Sequence, residues 1–332
     1  MVSREVIVVG AGIVGSSIAY QLAVAGVSVT LVDAALPGSG ATKHSFAWIG
    51  RSAHDGSPEE KLRSLGRDHW YRLAQEVPDL EMHWTGALVW GEYFSHDGAP
   101  KTDRVEMIEP HLVMPPHQSE HRADDGWLDP VRTTECLIRA AQRHGTSVRL
   151  GSPVSRLARS EEGTVIGAVL GTEVLSASTV IVAAGTGSTA LCATAGIDLP
   201  MVSSPSVLVQ LQAPPGIVRG IVANDEFEAR QSADGTTLMP LEYTGETSRE
   251  DLRRTGEETL RLFQGSFHGA SETKLKSVEI GWRPMLANGE SAIGYSSVPG
   301  LYTAVAHPGI MLASVIGHIA TKAILAQRQT NL

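Results

Sequence analysis

The chain has 332 residues, of which 42% are hydrophobic and 19% charged, and this length is enough for two domains or one large interleaved domain. No apolar run is long enough to cross a membrane, so we expect a soluble protein. The formal net charge of −9, with scattered basic residues, disfavours nucleic acids and anionic lipids as partners and leaves small molecules.

The amino terminus and the cysteines bear on where the protein works. The first ten residues, MVSREVIVVG, enter a strand pattern at once and leave no room for the parts of a signal peptide. Cys136 and Cys192 lie far apart, which disfavours a disulfide framework. We therefore expect a protein of the reducing cytoplasm.

The amino-terminal sequence REVIVVGAGIVGSSIAYQLAVAGVSVTLVDA has the pattern of a βαβ unit. It predicts a buried strand over 5–9, a glycine turn, a helix over 13–25 and a second strand over 28–32 that ends at Asp33.

The turn carries the spacing G-x-G-x-x-G at Gly10, Gly12 and Gly15. The first glycine allows the tight turn, the second allows the backbone to approach a pyrophosphate, and the third allows the helix to pack closely on the strand. Asp33 then stands where an acid takes the hydroxyl groups of a ribose. These features predict a dinucleotide site; a tight turn with no ligand is the alternative.

Three later segments add to this site. Residues 39–50, SGATKHSFAWIG, are rich in small and hydroxyl side chains; residues 178–188 read as a buried strand ending in Ala-Ala-Gly; and residues 301–325 read as a strand, a turn and a long helix. Three separated segments that converge on one ligand favour an extended cofactor.

Together these motifs resemble FAD-dependent oxidoreductases of the D-amino-acid oxidase superfamily, with glycine oxidase and its bacterial relatives nearest in pattern. The resemblance spans nearly the whole chain. It rests also on residues 126–154 and on the terminal arrangement of G-x-R-P at 281–284 with His-Pro-Gly-Ile-Met-Leu at 307–312. It implies an α/β fold in which an FAD-binding, Rossmann-type, doubly wound domain is interleaved with a substrate domain built on a mostly antiparallel β-sheet.

Pattern and resemblance together predict the domain boundaries. The FAD-binding domain takes 1–80, 128–200 and 282–332, and the substrate-binding domain takes 81–127 and 201–281. The predicted strands of the substrate domain are 82–90, 206–212, 220–230, 236–243 and 274–282, with a hairpin turn at Asp234-Gly235 and a helix within 248–266. Residues 91–125 read as a loop that forms an entrance or a lid.

The resemblance also implies which residues bind FAD. They are Gly10, Gly12, Ile13, Val14, Gly15, Asp33, Ala34, Gly40, Ala41, Thr42, His44, Ser45, Phe46, Val154, Ala183, Ala184, Gly185, His307, Pro308, Gly309, Ile310, Met311 and Leu312. In dimethylglycine and sarcosine dehydrogenases a histidine placed like His44 follows a tryptophan and carries a covalent flavin bond. Lys43 replaces that tryptophan here, so we expect non-covalent FAD.

On the substrate side, the resemblance assigns Arg283 to the carboxylate of the substrate, because a guanidinium matches a carboxylate with two parallel hydrogen bonds. A structural ion pair is the alternative. We expect Pro284 to fix the backbone where the chain crosses back to the cofactor domain. Tyr243, His44, Trp48 and His307 complete the predicted catalytic set.

Three departures from the family pattern all fall on the substrate side. Ser291 stands where the family often has proline, residues 203–210 lack a usual glycine, and Phe227 stands where glycine oxidase has an active-site tyrosine. The identity of the substrate is therefore open.

The resemblance implies oxidation of the C–N bond of an amino acid or secondary amine. Hydride passes to flavin N5, an imine forms, and oxygen reoxidises the flavin to give hydrogen peroxide. The alternatives are an FAD-dependent dehydrogenase with another electron acceptor, a biosynthetic tailoring oxidase for a larger amine or a C–O bond, an NAD-dependent reductase, and a non-catalytic nucleotide-binding module. Stereochemistry and oligomeric state are also open.

One stretch of the chain has a spacing that resembles a metal site. His117 and His121 precede Asp124 and Asp125, which would suit zinc on a helix, but the prolines at 115–116 indicate a solvated loop. We expect no metal site.

Overall fold

Two large β-sheets organise the chain in a computed structural model that describes residues 5–50, 58–93, 101–102 and 104–330. The α-helices are α1 (Ile13–Val24), α2 (Pro58–Glu76), α3 (Val105–Ile108), α4 (Pro130–Arg143), α5 (Ser188–Ala193), α6 (Arg249–Ser266) and α7 (Gly309–Thr330). The strands are β1 (Val6–Val9), β2 (Val29–Val32), β3 (Trp48–Ile49), β4 (Ala87–Val89), β5 (Lys101–Thr102), β6 (Ser119–Arg122), β7 (Gly126–Trp127), β8 (Ser147–Arg149), β9 (Val154–Arg159), β10 (Val165–Leu170), β11 (Glu173–Ser176), β12 (Thr179–Val182), β13 (Met201–Gln212), β14 (Ile221–Ala223), β15 (Glu228–Gln231), β16 (Thr236–Glu242), β17 (Lys274–Leu286), β18 (Ala292–Tyr295) and β19 (Leu301–Val305).

The first sheet has six strands in the order β18-β19-β12-β1-β2-β8. All neighbours are parallel except β18, which runs antiparallel along the edge. Strands β1, β2, β12 and β19 are buried along their whole length. Their continuous apolar runs are typical of a parallel sheet that is covered on both faces.

Helices cover one face of this sheet, and a small antiparallel sheet with α5 covers the other. Residues of α1, α2, α4 and α7 share one buried apolar cluster. Residues of β9, β10 and α5 form a second cluster on the opposite face. The arrangement is the predicted Rossmann-type, doubly wound one, with parallel strands and helical connections.

Helix α7 lies at the centre of the helical layer. The Ser314 hydroxyl donates to the Gly66 carbonyl of α2 at 2.8 Å, and the Gln21 amide of α1 donates to the Ser314 carbonyl at 2.8 Å. By length and composition alone, Gly309–Gln329 is apolar enough to cross a membrane. The expectation that no apolar run is long enough is therefore wrong. Since 56% of its apolar window is buried inside the protein, core packing accounts for the same composition.

The second sheet has eight strands in the order β17-β13-β16-β15-β14-β4-β6-β5. Among the strand pairs of the described residues, only β14–β4 is parallel, so the predicted mostly antiparallel sheet is confirmed. Helix α6 packs on one face through Phe263 and its neighbours. The opposite face packs on Phe46, which precedes β3, and on Trp127 of β7.

Two predictions for this sheet are wrong in detail. The strand predicted over 220–230 is two strands, β14 and β15, because the Asn224 side chain accepts hydrogen bonds from the Glu226 and Phe227 amides and closes a turn. The segment 91–125, read as a loop, contributes β5 and β6 at the sheet edge. His121 lies in β6, so it does not take part in a helical metal-binding pair.

Strand β17 continues past the point where the sequence suggested a stop. Arg283 pairs with Ser204 and Pro284 with Ser203 of β13, so both lie inside the strand. β17 is the outermost strand, where a proline that lacks an amide hydrogen is tolerated. Pro284 therefore does not end the strand at the predicted boundary of 281–282, and the division of the chain into two domains stays a prediction.

Local capping explains where two helices begin. The Asp129 carboxylate accepts from the Val131 and Arg132 amides at 3.0 and 2.9 Å and starts α4. Ser248 and Asp251 bind each other's backbone amides in a capping box at the start of α6.

The packing of the glycine turn gives a stability prediction. A Cβ atom on Gly15 would lie 1.9 Å from the Gly10 carbonyl oxygen. We expect Gly15→Ala to lower the free energy of unfolding by about 1 to 3 kcal/mol, because the helix must move away from the strand. Gly265→Ala is the matched control: that helical glycine has no neighbouring atom within 4 Å, so the change should be neutral or stabilising. Chemical denaturation measures both, and equal stability of the two variants would contradict the packing argument.

Candidate functional site

One cavity of about 980 Å³ lies between the two sheets. Its floor is formed where β1, β2, β12 and β19 end, and its far wall is the face of the second sheet that carries Ser206, Glu228, Pro240 and Arg283. Ligands of open α/β sheets bind at the carboxyl ends of the strands, and this volume is at the upper end of the usual range for ligand pockets.

The glycine turn forms one end of the cavity. Gly10 has a φ of 112°, and a Cβ atom there would lie 2.3 Å from the Ala183 carbonyl oxygen, so only glycine fits. Gly12 caps α1 with extended backbone and no side-chain cap, and a hydrogen bond from the Ile13 amide to the Thr42 hydroxyl measures 3.2 Å. The positive end of α1 therefore points into the cavity and suits a pyrophosphate.

Asp33 lies at the end of β2 and lines the same cavity. Its carboxylate accepts the Ala11 amide at 2.6 Å and the Ala35 amide at 2.8 Å. These bonds hold the acid beside the glycine turn, and Val154 lines the cavity with them. The arrangement fits the adenosine diphosphate half of a dinucleotide.

The segment that contains His44 presses against the second sheet. A Cβ atom on Gly281 of β17 would lie 2.5 Å from His44 Cβ, so glycine is required for this approach. His44 Nδ1 lies 3.3 Å from the Glu279 carboxylate, which also lies 3.6 Å from Lys43 Nζ. Burial, followed by the charge of Lys43, lowers the pKa of His44 against the opposite effect of Glu279. The imidazole is therefore neutral at neutral pH.

Arg283 is half-buried and lines the far wall. Its Nε and Nη2 groups donate to the Ser204 and Pro205 carbonyls, each at 3.3 Å. These two bonds hold the guanidinium on the β13 backbone, and a guanidinium has five N–H donors in all. In the described part of the chain, carbonyl oxygens rather than a carboxylate hold Arg283, so the alternative of a structural ion pair gains no support.

Most of the predicted site residues meet in this cavity. Those that line it are Gly10, Gly12, Ile13, Val14, Asp33, Ala34, Gly40, Ala41, Thr42, His44, Ser45, Phe46, Trp48, Val154, Ala183, Ala184, Gly185, Arg283, His307, Pro308, Gly309, Ile310 and Met311. Gly15 and Leu312 do not: Gly15 packs on Gly10, and Leu312 is buried in the core of the helical layer.

Tyr243 also lies outside the cavity, for a reason that strand geometry explains. On β16, Leu238 and Pro240 face the cavity side, whereas Met239 and Leu241 pack towards α6. Tyr243 continues the second set and packs with it. The prediction that Tyr243 belongs to the catalytic set did not account for the face of the second sheet on which its side chain would lie.

Sequence reasoning missed an acid and a phenol at the far wall. Glu228 and Tyr93 both line the cavity, and the Tyr93 hydroxyl donates to the Glu228 carboxylate at 2.7 Å. Burial raises the pKa of Glu228, and the hydrogen bond from Tyr93 opposes that shift. Phe227 is buried on the α6 side of the sheet. Because side chains alternate along a strand, the next residue, Glu228, faces the cavity, and this alternation could have identified it.

Trp48 is fixed beside this pair. Its indole Nε1 donates to the Asp125 carboxylate at 2.9 Å, and its ring stacks on Tyr93 with centroids 6.3 Å apart. Other lining residues absent from the predicted set include Glu92, Arg63 and Arg122. Arg122 pairs with Glu120 at 2.9 Å.

Comparison with known proteins finds oxidases that are similar in sequence to this chain. A 4-methylaminobutanoate oxidase (formaldehyde-forming) of Paenarthrobacter nicotinovorans is 27% identical over 61% of this chain and 27% of that protein. A monomeric sarcosine oxidase of Bacillus sp. (strain NS-129) is 25% identical over 59% of this chain and 55% of that protein. The chain thus matches less than two thirds of either relative.

The fold is shared with solved structures. Glycine oxidase from Bacillus cereus ATCC 14579 superposes with a TM-score of 0.84 at 19% identity, over 98% of this chain and 96% of that chain. The predicted resemblance is confirmed by the family match, which covers residues 5–323 and is described as FAD dependent oxidoreductase. The chain belongs to this family of FAD-dependent oxidoreductases.

Proposed function

We propose that the protein oxidises the C–N bond of an amino acid or secondary amine with FAD, gives an imine that water hydrolyses, and passes the electrons to oxygen with formation of hydrogen peroxide. The observation that carries the proposal is the continuous cavity that joins the glycine turn to Arg283. The similar proteins include sarcosine, glycine and 4-methylaminobutanoate oxidases, which supports an amine that also carries a carboxylate.

The residues of the cavity fit FAD held without a covalent bond. The α1 amino terminus and Asp33 would hold the adenosine diphosphate half, and the segment Ala41–His44 with the start of α7 would enclose the other half. The amino-terminal end of α7 offers a positive dipole to a ligand that gains negative charge. FAD, when bound, accepts a hydride from the carbon next to the substrate nitrogen.

The protein's own groups bind and orient the substrate. Arg283 would bind a carboxylate through N–H groups beyond those that hold it on β13. Phe46 and Trp48 line the cavity and would exclude water from the bound substrate. His44 stays neutral and therefore adds no cationic charge to the centre of the cavity.

The first prediction concerns the cofactor. Purified protein should be yellow with a flavin spectrum, and acid precipitation should release the colour into the supernatant, because we propose no covalent bond at His44. Colour that stays in the pellet would reverse the proposal for His44. A colourless protein that binds NAD but not FAD would contradict the proposed function altogether.

The second prediction concerns Arg283. Arg283→Met should lower kcat/KM for an amino-acid substrate by roughly two to three orders of magnitude, with Arg283→Lys in between, because lysine keeps the charge but loses the paired donors. Steady-state oxygen consumption measures this, and flavin content should not change. Arg261→Met is the matched control, since Arg261 is exposed on α6, away from the cavity.

The same amine without its carboxylate separates binding from folding. It should be a poor substrate of the wild type and should lose little more in the Arg283 variants. Equal losses for the acid and the amine would show that Arg283 has a structural role.

A further inference from the structure

The far wall of the cavity holds a carboxylate that the proposed chemistry has not used. Glu228 is half-buried on β15 and accepts a hydrogen bond from the Tyr93 hydroxyl at 2.7 Å. In the described part of the chain, no lysine, arginine or histidine forms an ion pair with it. Tyr93 offers a single hydroxyl proton, so the carboxylate has acceptor capacity left for a ligand.

Aromatic rings stand beside this carboxylate. Trp48 and Tyr93 are stacked at 27° with centroids 6.3 Å apart, and Phe46 meets Trp48 edge-on at 6.4 Å. Asp125 fixes the Trp48 indole, and Glu228 fixes the Tyr93 hydroxyl. All three rings line the cavity. Aromatic rings attract cations, and Trp does so most strongly.

Carboxylates lie near the Tyr93 phenol. Burial raises the pKa of this phenol most, and the carboxylates of Glu228, Glu92 and Asp225 raise it further. The cations Arg122 and Arg230 stand next to this region. Arg122 donates to the Tyr93 carbonyl at 2.6 Å, and its charge is offset by the Glu120 carboxylate at 2.9 Å. The Arg230 guanidinium lies 5.5 Å from the Phe46 ring centroid and donates to the Phe46 carbonyl.

We infer that Glu228, Tyr93 and Trp48 form a binding site for the positively charged nitrogen of an N-alkylated amine. The positive charge of such a cation is attracted to the Glu228 carboxylate, while its alkyl carbons, which share that charge, contact the ring faces. The inference rests on the proposed function in so far as this amine is the substrate. It adds to that function a preference for N-alkylated amines over primary amines. A primary ammonium keeps more of its hydration and therefore gains less from aromatic walls.

Tetramethylammonium is a suitable probe because it carries the charge and the alkyl surface but has no carboxylate for Arg283. The flavin-loaded protein is titrated with tetramethylammonium chloride at constant ionic strength, and binding is followed by the flavin absorbance and by calorimetry. tert-Butanol, a neutral molecule of similar shape, is titrated in parallel. We expect the wild type to bind the cation and not the alcohol.

The variants then locate the site. Glu228→Gln should raise the Kd for tetramethylammonium by about tenfold or more, and Trp48→Leu by about fivefold, in line with the worth of a charged contact and of one cation–π contact. Glu242→Gln is the matched control: Glu242 is an exposed carboxylate on the neighbouring strand β16 and should leave the Kd unchanged. Flavin content and melting temperature confirm that each variant is folded.

Two outcomes would overturn the inference: wild-type protein with full flavin content that does not bind tetramethylammonium, or an unchanged Kd in Glu228→Gln. If Glu228→Gln does not fold, Trp48→Leu decides, and an unchanged Kd in that variant overturns the inference. Amine turnover is measured separately. An active amine oxidase without this binding refutes the cation site alone, whereas cation binding that needs Glu228 in a flavoprotein without amine turnover refutes the proposed function alone.

Discussion

The close approach of three backbone segments at the glycine turn sets the position of the other residues in the site. A Cβ atom on Gly15 would meet the Gly10 carbonyl oxygen at 1.9 Å, and one on Gly10 would meet the Ala183 carbonyl oxygen at 2.3 Å. Strands β1 and β12 and helix α1 therefore touch at this point without side chains between them. Because they touch, the start of α1 lies directly over the strand ends, and the cavity begins where the parallel sheet stops.

The opposite wall is joined to this framework by a buried cation. Arg230 of β15 is 1% exposed; it donates to the Phe46 carbonyl and stands 4.3 Å from the Trp127 ring centroid. Burial lowers the pKa of Arg230 to about 9, so it remains charged at neutral pH. Burying a charge costs free energy, and here carbonyl oxygens and ring faces offset part of that cost. The result is that β15, which also carries Glu228, is held against the segment that contains Phe46.

The sequence allowed much of the first sheet to be predicted, because the signals there are local. The strand at the amino terminus, the glycine turn and α1 follow from apolar runs and glycine spacing. The second sheet was harder to predict, because its strands pair with segments that are distant in the sequence. Short edge strands such as β5 lack an apolar pattern, and the side to which Tyr243 points depends on the phase of β16. Glu228 was missed because an isolated glutamate reads as a solvent-exposed residue until the neighbouring strand is in place.

The placement of charge on the second sheet constrains what the cavity can select. Arg283 on β17 and Glu228 on β15 face the same cavity, and β13 and β16 lie between their strands. Three strand spacings amount to about 14 Å between the axes of β17 and β15. The two side chains carry opposite charges. On the proposed function, a substrate that pairs with both would carry its carboxylate and its cationic nitrogen on separate parts of the molecule.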